Sequence, residues 1–234
     1  MQTFTITPDL AAELVKRRGR VHAYEHFDPA KTALVVVDMQ NYFMADGQPS
    51  CAPAARDIVP NVNRLAVKVR ETGGLVVWIQ TEAKAETPSD WANHYEAMSP
   101  EACTRRQTNL GKSGSGFPLW PALEVEAGDT KVVKTRYSAF VGNSSNLDAV
   151  LRARGIDTIL ITGVATNVCC ESTARDGMML GFRTVMLSDG NAAFTQENHE
   201  HCLKNFMLTF GDVQTCAEVT ERLQAGARTA RAAE

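Results

Sequence analysis

The 234-residue sequence lacks the features that mark several large classes of protein. No apolar run reaches the roughly 18 residues that a membrane-spanning helix needs. The formal net charge is −3, so the chain also lacks the basic excess typical of nucleic-acid-binding proteins. These absences predict a protein that binds neither a membrane nor a nucleic acid.

The N-terminus has no continuous apolar segment after a basic start, so it does not resemble a secretory signal, and we expect a cytoplasmic protein. Its six cysteines, at positions 51, 103, 169, 170, 202 and 216, form no C-x-x-C pair. In a cytoplasmic chain of this size, that spacing predicts free thiols and not a disulfide framework.

Cofactor signatures are also missing. No G-x-G-x-x-G follows the first predicted strand, and Lys112–Gly116 (KSGSG) does not fit a phosphate-binding loop, which excludes a dinucleotide-binding module. His94 stands alone in an irregular section, as surface histidines usually do. His199 and His201 are two residues apart on a predicted helix, where side chains point to different faces. We therefore expect no cofactor.

The chain does contain an alternation of short apolar runs with segments of helical periodicity. Continuous apolar or β-branched runs are typical of strands buried on both faces. The predicted strands are Thr32–Val37, Leu75–Gln80, Thr130–Val133, Thr158–Thr162, Arg183–Leu187 and Val213–Thr215. The predicted helices are Pro8–Lys16, Ala54–Thr72, Asn146–Arg154, Asn167–Gly181, Thr195–Phe210 and Glu218–Leu223. This alternation predicts an α/β fold of three layers (α/β/α), doubly wound, with a mostly parallel six-stranded sheet.

We predict one domain over residues 31–224, preceded by an N-terminal arm (1–30) and followed by a frayed polar tail (225–234). Arms of this kind often pack on a neighbouring subunit, and we expect a homo-oligomer, either a dimer or a tetramer. Thr81–Ala127 is a long irregular section, and such sections are usually functional or contain short helices.

Three predicted strands are followed by side chains that can do chemistry: Asp38, Lys134 and Cys169. Because parallel strands end at one edge of a sheet, where open α/β sheets bind ligands, we expect these side chains to meet. Cys169 falls in the first predicted turn of a helix, where the helix dipole should lower the pKa of its thiol.

Each residue also has an ordinary structural explanation. Asp38 could cap a helix or form a turn, Lys134 could end a strand with its charge in solvent, and Cys169 could pack as a small apolar residue. The meeting of an acid, an amine and a thiol at one edge favours the chemical interpretation.

Residues just after Lys134 are candidates for substrate contact. Arg136 could bind a carboxylate, and Tyr137 and Phe140 could line a pocket. The alternatives are a surface charge for Arg136 and loop packing for the two aromatic residues.

Three stretches carry a resemblance to a known family: VVVDMQN (Val35–Asn41), VVKTRYSAF (Val132–Phe140) and ITGVATNVCCESTARDGMMLGF (Ile161–Phe182). Together they resemble the motifs of the isochorismatase-like cysteine hydrolase superfamily. The similarity extends from about Thr32 to Leu223. Within the superfamily, the motifs are most similar to those of the ureidoacrylate amidohydrolases.

The resemblance implies a role for each reactive residue. Asp38 would be the general base, Lys134 its partner and Cys169 the nucleophile. It also implies a cis peptide between Val164 and Ala165, which would direct the backbone N–H groups of Ala165 and Cys169 at one oxyanion.

Two departures from the patterns of particular relatives indicate whether the protein binds a metal and which reaction it catalyses. Metal-containing relatives, the nicotinamidases, carry histidines soon after the first motif, whereas this chain has none between His26 and His94, so we expect no metal. Ether-cleaving isochorismatases lack the cysteine, so Cys169 argues against that reaction.

Other departures fall in the expected pocket. Phe43 stands where the ureidoacrylate enzymes have a tyrosine, Thr81 replaces an asparagine, and Gln107 matches a polar pocket residue. The resemblance therefore implies substrate contacts from Phe43, Thr81 and Gln107. With Arg136, Tyr137 and Phe140, proposed above from their position after Lys134, they make up the predicted substrate contacts.

The implied function is an amidohydrolase that cleaves a C–N bond of a small linear amide or ureide through a cysteine thioester. One alternative is a hydrolase of the same fold acting on another amide, a lactam or an ester. A second is a non-catalytic small-molecule binder or a redox sensor that uses Cys169 and Cys170.

Overall fold

The structure, a computed structural model, describes residues 1–84 and 91–233. Six strands form one sheet in which every strand pairing is parallel, in the order β3-β2-β1-β4-β5-β6. The strands are β1 (Thr32–Val37), β2 (Leu75–Thr81), β3 (Thr130–Lys134), β4 (Thr158–Val164), β5 (Arg183–Ala192) and β6 (Asp212–Gln214). The predicted fold class is confirmed, with a sheet that is wholly parallel.

The helices are α1 (Pro8–Arg18), α2 (Asn41–Met44), α3 (Val59–Glu71), α4 (Ala92–Glu96), α5 (Pro100–Leu110), α6 (Leu147–Ala153), α7 (Glu171–Met179), α8 (Gln196–Thr209) and α9 (Cys216–Ala233). Helices α3 and α9 contribute to the core on one face of the sheet, and α1, α6, α7 and α8 to the core on the other. In β1, Leu34 and Val36 face the first core, while Val35 and Val37 face the second. Burial on both faces explains why the strand is a continuous apolar run.

Several element bounds differ from the predictions. The irregular section holds helices α4 and α5, which the apolar pattern did not reveal because α5 buries only Arg106 and Leu110. The helix predicted from Asn167 begins instead as a single π-helical turn, Thr166–Cys170, that leads into α7.

The last helix is much longer than the predicted Glu218–Leu223 and continues to Ala233, so the polar segment predicted to fray is helical as far as the structure describes it. Its alanine content explains this, since alanine has the highest helix propensity. At Gly226 a side chain would collide with the Phe27 carbonyl oxygen, so glycine permits close contact with the N-terminal arm. Glu234, the last residue of the predicted tail, lies outside the described residues.

Within residues 1–84 and 91–233, no helix combines the length and the apolarity needed to cross a lipid bilayer. All six cysteines are free thiols, which confirms that prediction.

Candidate active site

Four neighbouring strands deliver the site residues to one edge of the sheet. Lys134 ends β3, Thr81 ends β2, Asp38 follows β1, and Cys169 follows β4 in the π-helical turn. Asp38 and Lys134 are fully buried, and Thr81 and Cys169 are 2% and 6% exposed. The three reactive side chains therefore converge where the sequence places them.

Asp38 leaves its strand in an unusual backbone conformation. Its φ of 54° makes it the only non-glycine residue with positive φ among those described. A left-handed conformation costs a non-glycine residue roughly 1–2 kcal/mol. Hydrogen bonds on both sides hold it, since the Asp38 amide donates to the Ile79 carbonyl (3.1 Å) and the Gln40 amide donates to the Asp38 carbonyl (2.8 Å). Strain maintained in this way is typical of functional sites.

Thr81 joins the acid to the amine. Its hydroxyl donates to Asp38 Oδ1 (2.9 Å) and accepts from Lys134 Nζ (2.6 Å), while Nζ also lies 2.8 Å from Asp38 Oδ2. Strands β3 and β1 are not neighbours, and adjacent strands are about 4.8 Å apart, so the long lysine side chain must cross the end of β2. Thr81 fills that gap. It was predicted to bind substrate, but the structure places its hydroxyl inside the acid–amine pair.

The charged state of the site follows from burial. Burial raises the pKa of the Cys169 thiol to about 12, the Lys134 charge partly opposes this, and the negative charge of Asp38 with its hydrogen bond to the thiol adds to it. The prediction of a lowered thiol pKa is wrong, because removing the sulfur from water outweighs the helix terminus.

Lys134 remains a cation at neutral pH. Burial opposes its charge, but the charge and hydrogen bond of Asp38 outweigh burial and raise the lysine pKa, with a further contribution from Cys169 when its thiol ionises. The lysine also donates to the Arg136 carbonyl (2.9 Å), so a backbone oxygen helps to fix its position.

The turn that carries Cys169 is fixed around Ala165. The amides of Val168 and Cys170 both donate to the Ala165 carbonyl, at 3.0 and 3.2 Å, and the peptide between Val164 and Ala165 is cis. Ala165 and Cys169, whose N–H groups were predicted to bind an oxyanion, therefore belong to one compact turn. That role remains a prediction.

His199 supports the same turn from α8. It is fully buried, with Nδ1 2.9 Å from Thr166 Oγ1 and Nε2 3.1 Å from the Ser188 carbonyl oxygen. The carbonyl requires a proton on Nε2, which leaves Nδ1 to accept from the Thr166 hydroxyl. The sequence suggested no such role, because the partners of His199 lie far along the chain. Among the described residues, no cluster of three or more His, Cys, Asp or Glu side chains could hold a metal.

Two predicted substrate contacts pack against other aromatic residues. Phe43 is buried with its ring edge-on to Tyr42, at 5.0 Å between centroids. Phe140 stacks on Phe182 at 5.7 Å, so the structure favours loop packing for it.

Gln107 is half-buried on α5, whereas its neighbour Arg106, which the sequence did not single out, is the buried residue.

Arg136 and Tyr137 lie at the rim of the site. The Arg136 guanidinium lies 5.2 Å from the ring centroid of Trp91. Tyr137 is 38% exposed and meets Trp91 and His94 edge-on, at 5.0 and 5.5 Å, while Trp91 and His94 stack at 3.8 Å. These three rings form an aromatic rim, of which the sequence predicted only Tyr137.

Comparisons with known proteins identify the family of this chain. Residues 32–218 match the isochorismatase domain family. Ureidoacrylate amidohydrolase RutB of Klebsiella pneumoniae is 32% identical over 214 residues, which cover 81% of this chain and 86% of that protein.

Solved structures share the fold. A cysteine hydrolase from Pseudomonas syringae pv. phaseolicola superposes with a TM-score of 0.78 at 28% identity, covering 88% of this chain and 98% of that one. N-carbamoylsarcosine amidase from Thermoplasma acidophilum gives a TM-score of 0.62 at 27% identity, covering 80% and 96%. Since the family match extends from the first strand into the last helix, the chain belongs to the isochorismatase family of hydrolases.

Proposed function

We propose that this chain hydrolyses a C–N bond of a small linear amide or ureide through a thioester on Cys169. The observation that carries the proposal is the fully buried pair of Asp38 and Lys134, 2.8 Å apart, beside the thiol of Cys169. The names of two similar proteins, a ureidoacrylate amidohydrolase and an N-carbamoylsarcosine amidase, support this class of substrate.

The first step is attack by sulfur. An amide carbonyl is a poor electrophile, so the reaction needs a thiolate and a site for the developing oxyanion. Because the thiol pKa is about 12, the sulfur is protonated at neutral pH, and Asp38 takes its proton as the S–C bond forms. Lys134 stays charged and stabilises negative charge on sulfur.

The backbone N–H groups of Ala165 and Cys169 bind the oxyanion that develops on the carbonyl oxygen. One well-placed donor of this kind is typically worth about 3–4 kcal/mol. Collapse of the tetrahedral intermediate breaks the C–N bond, and protonated Asp38 gives its proton to the leaving nitrogen. The products of this half-reaction are a free amine, or ammonia, and the thioester.

Hydrolysis reverses the proton transfers. Asp38 takes a proton from water, the hydroxyl group adds to the thioester carbonyl, and the C–S bond breaks. The proton returns to sulfur and restores the thiol. A simple amide releases a carboxylic acid, and a ureide releases a carbamate.

The test is turnover of a panel of ureides, N-carbamoyl amino acids and simple amides by the purified protein, with ammonia and amine detected. Wild type should turn over at least one of them, and Cys169→Ser should lose that turnover while keeping its circular dichroism spectrum. Cys51→Ser, which alters a half-buried thiol outside the site, is the matched control and should be fully active. Full activity in Cys169→Ser, or no turnover of any compound by wild type, would contradict the proposal.

A further inference from the structure

Helix α5 buries a cation with no counter-ion among the described residues. Arg106 is 9% exposed, its Nε has no hydrogen-bond partner, and no described carboxylate forms an ion pair with it. Glu82, another buried ionisable residue of this region, is not paired with it either. An unpaired buried charge is costly, and such a cost at the edge of a site indicates a missing anion.

The helix turns Arg106 toward the site. Arg106 and Leu110 are four residues apart and so share one helix face, which is the buried face of α5. The Leu110 carbonyl accepts from the Ala83 amide (3.2 Å), two residues beyond Thr81. Leu110 also packs in the core cluster that contains Ala165. The buried face of α5 is therefore held against the carboxyl edge of the sheet.

Electrostatics places the guanidinium among groups already assigned to the site. Burial raises the pKa of Cys169 and Tyr137 and lowers that of His94, and in each case the positive charge of Arg106 makes a smaller, lowering contribution. Arg106 thus lies near enough to act electrostatically on both the nucleophile and the aromatic rim.

The chemistry of the side chain identifies the anion. A guanidinium is planar, keeps its charge at any relevant pH and offers parallel N–H donors that match the two oxygens of a carboxylate. We propose that Arg106 binds a carboxylate of the substrate, so that the preferred substrates are amides or ureides that also carry a carboxylate group. The inference rests on the proposed hydrolysis at Cys169, and it assigns Arg106 as a specificity-determining residue.

The first experiment measures binding without turnover. A Cys169→Ala protein is titrated calorimetrically with N-carbamoylglycine and with its uncharged isostere, N-carbamoylglycinamide. We expect the carboxylate to bind at least about 10-fold more tightly, since charge-assisted hydrogen bonds are roughly twice as strong as neutral ones. Adding Arg106→Gln should abolish the difference, whereas Arg105→Gln, which removes the same charge from the exposed face of α5, should preserve it.

The second experiment measures kcat/KM on N-carbamoyl amino acids of increasing chain length. Arg106→Gln should lower it by about 100-fold, mainly through KM, because one partner of a buried charge pair is removed. Arg106→Lys should retain part of the activity, and Arg105→Gln all of it. Thermal unfolding provides a further readout, since removing an unpaired buried charge should not destabilise the protein.

The outcomes separate the two proposals. Equal binding of both probes, no binding of either, or loss of fold in Arg106→Gln would overturn the carboxylate site. Turnover of uncharged ureides that exceeds turnover of the carboxylates would overturn it while leaving the hydrolase intact. Binding that depends on Arg106, without turnover of any compound by wild type, would overturn the hydrolase and leave the carboxylate site standing.

Discussion

Two aspartates, Asp38 and Asp212, are both fully buried at the sheet, but their surroundings differ. Asp212 begins the edge strand β6 and accepts hydrogen bonds from the Tyr24 amide (3.1 Å), the Gln214 side chain (2.9 Å) and His22 (3.2 Å). Burial raises its pKa, but these hydrogen bonds outweigh burial and lower the pKa overall. Asp212 is a fixed acceptor that attaches the N-terminal arm to the sheet.

Asp38 has partners of another kind. Its described side-chain contacts are with the Thr81 hydroxyl, the Lys134 ammonium and the Cys169 thiol, and none of them is a backbone amide. Asp38 contacts a thiol that can act as a nucleophile, whereas the described partners of Asp212 include no nucleophile. Burial of a carboxylate therefore does not identify a catalytic acid, but contact with a nucleophile does.

The sharpest test of this contrast exchanges each aspartate for asparagine. Asp38→Asn should lower kcat per folded molecule by about 10²–10⁴-fold, as expected for loss of a general acid–base. It should also cost about 3–5 kcal/mol of unfolding free energy, because the buried Lys134 loses its counter-ion. Asp212→Asn should cost about 1–3 kcal/mol of unfolding free energy, because an amide cannot accept all the buried hydrogen bonds that the carboxylate accepts. Its turnover per folded molecule should match wild type.

Urea unfolding and kcat, measured on both variants, decide the result. If Asp212→Asn reduced kcat as much as Asp38→Asn, the distinction between the two carboxylates would fail.

A smaller effect is expected at Thr81. Thr81→Val removes the hydroxyl between Asp38 and Lys134 and leaves two buried groups short of a partner, at a cost of about 1–3 kcal/mol. We expect kcat to fall by about 10–100-fold, because Asp38 and Lys134 are less well positioned for the reaction. Each increment of about 1.4 kcal/mol in the activation barrier lowers the rate tenfold. Thr81→Ser keeps the hydroxyl and should restore most of the rate. Equal rates for the valine and serine variants would show that the hydroxyl is not needed.

Four buried thiols predict that the free energy of unfolding falls at alkaline pH. Burial raises the pKa of Cys202 on α8, as it does for Cys169, Cys170 and Cys216, above a usual value of 9.0. From about pH 9 upward the unfolded chain loses thiol protons that the folded chain keeps, so stability falls by up to about 1.4 kcal/mol per pH unit for each thiol. Urea midpoints between pH 8 and pH 10.5 should show this.

Cys202→Ala should reduce the change of unfolding free energy with pH by the contribution of one proton, about 1.4 kcal/mol per pH unit. The contributions of the other thiols should remain. An unchanged slope would mean that Cys202 ionises as readily in the folded protein as in the unfolded chain.

The smallest predicted effect concerns His199, which links α8 to the turn of Cys169. Burial lowers the pKa of His199 below its usual 6.5, although its hydrogen bond to Ser188 partly opposes this. Below about pH 6.5 the unfolded chain binds a proton that the folded state resists, so stability falls with decreasing pH, by at most about 1.4 kcal/mol per unit.

His199→Gln keeps a donor and an acceptor without a titrating group, and should flatten the pH dependence of unfolding between pH 7.5 and 5.5. Retention of the wild-type slope in this variant would assign the effect to another group.

The parts of the site that could be predicted are those that follow a buried strand. Asp38 and Lys134 interrupt apolar runs, and an ionisable residue at such a point is visible without a structure. Cys169 was found in the same way, but its pKa was predicted in the wrong direction, because desolvation depends on packing from the whole fold.

Thr81, Arg106 and His199 could not be assigned their roles from sequence. Threonine is common in strands, an arginine in a polar helix resembles a surface residue, and a histidine on a helix face gives no indication of its partners. Arg106 and His199 gain significance from groups that are distant in the chain, such as Cys169 for the first and Thr166 for the second.

The sequence by itself determined which strands are followed by reactive residues, the layered α/β class and the family. This was possible because burial on both faces of a parallel sheet requires apolar runs, so a polar residue at the end of a run is easy to recognise. Only the tertiary structure decided which polar groups touch. Lys134 reaches Asp38 across β2, with Thr81 filling the gap, and Arg106 is left without a described counter-ion. Those relations depend on strand order in the sheet and on helix placement, and both are set by long-range packing.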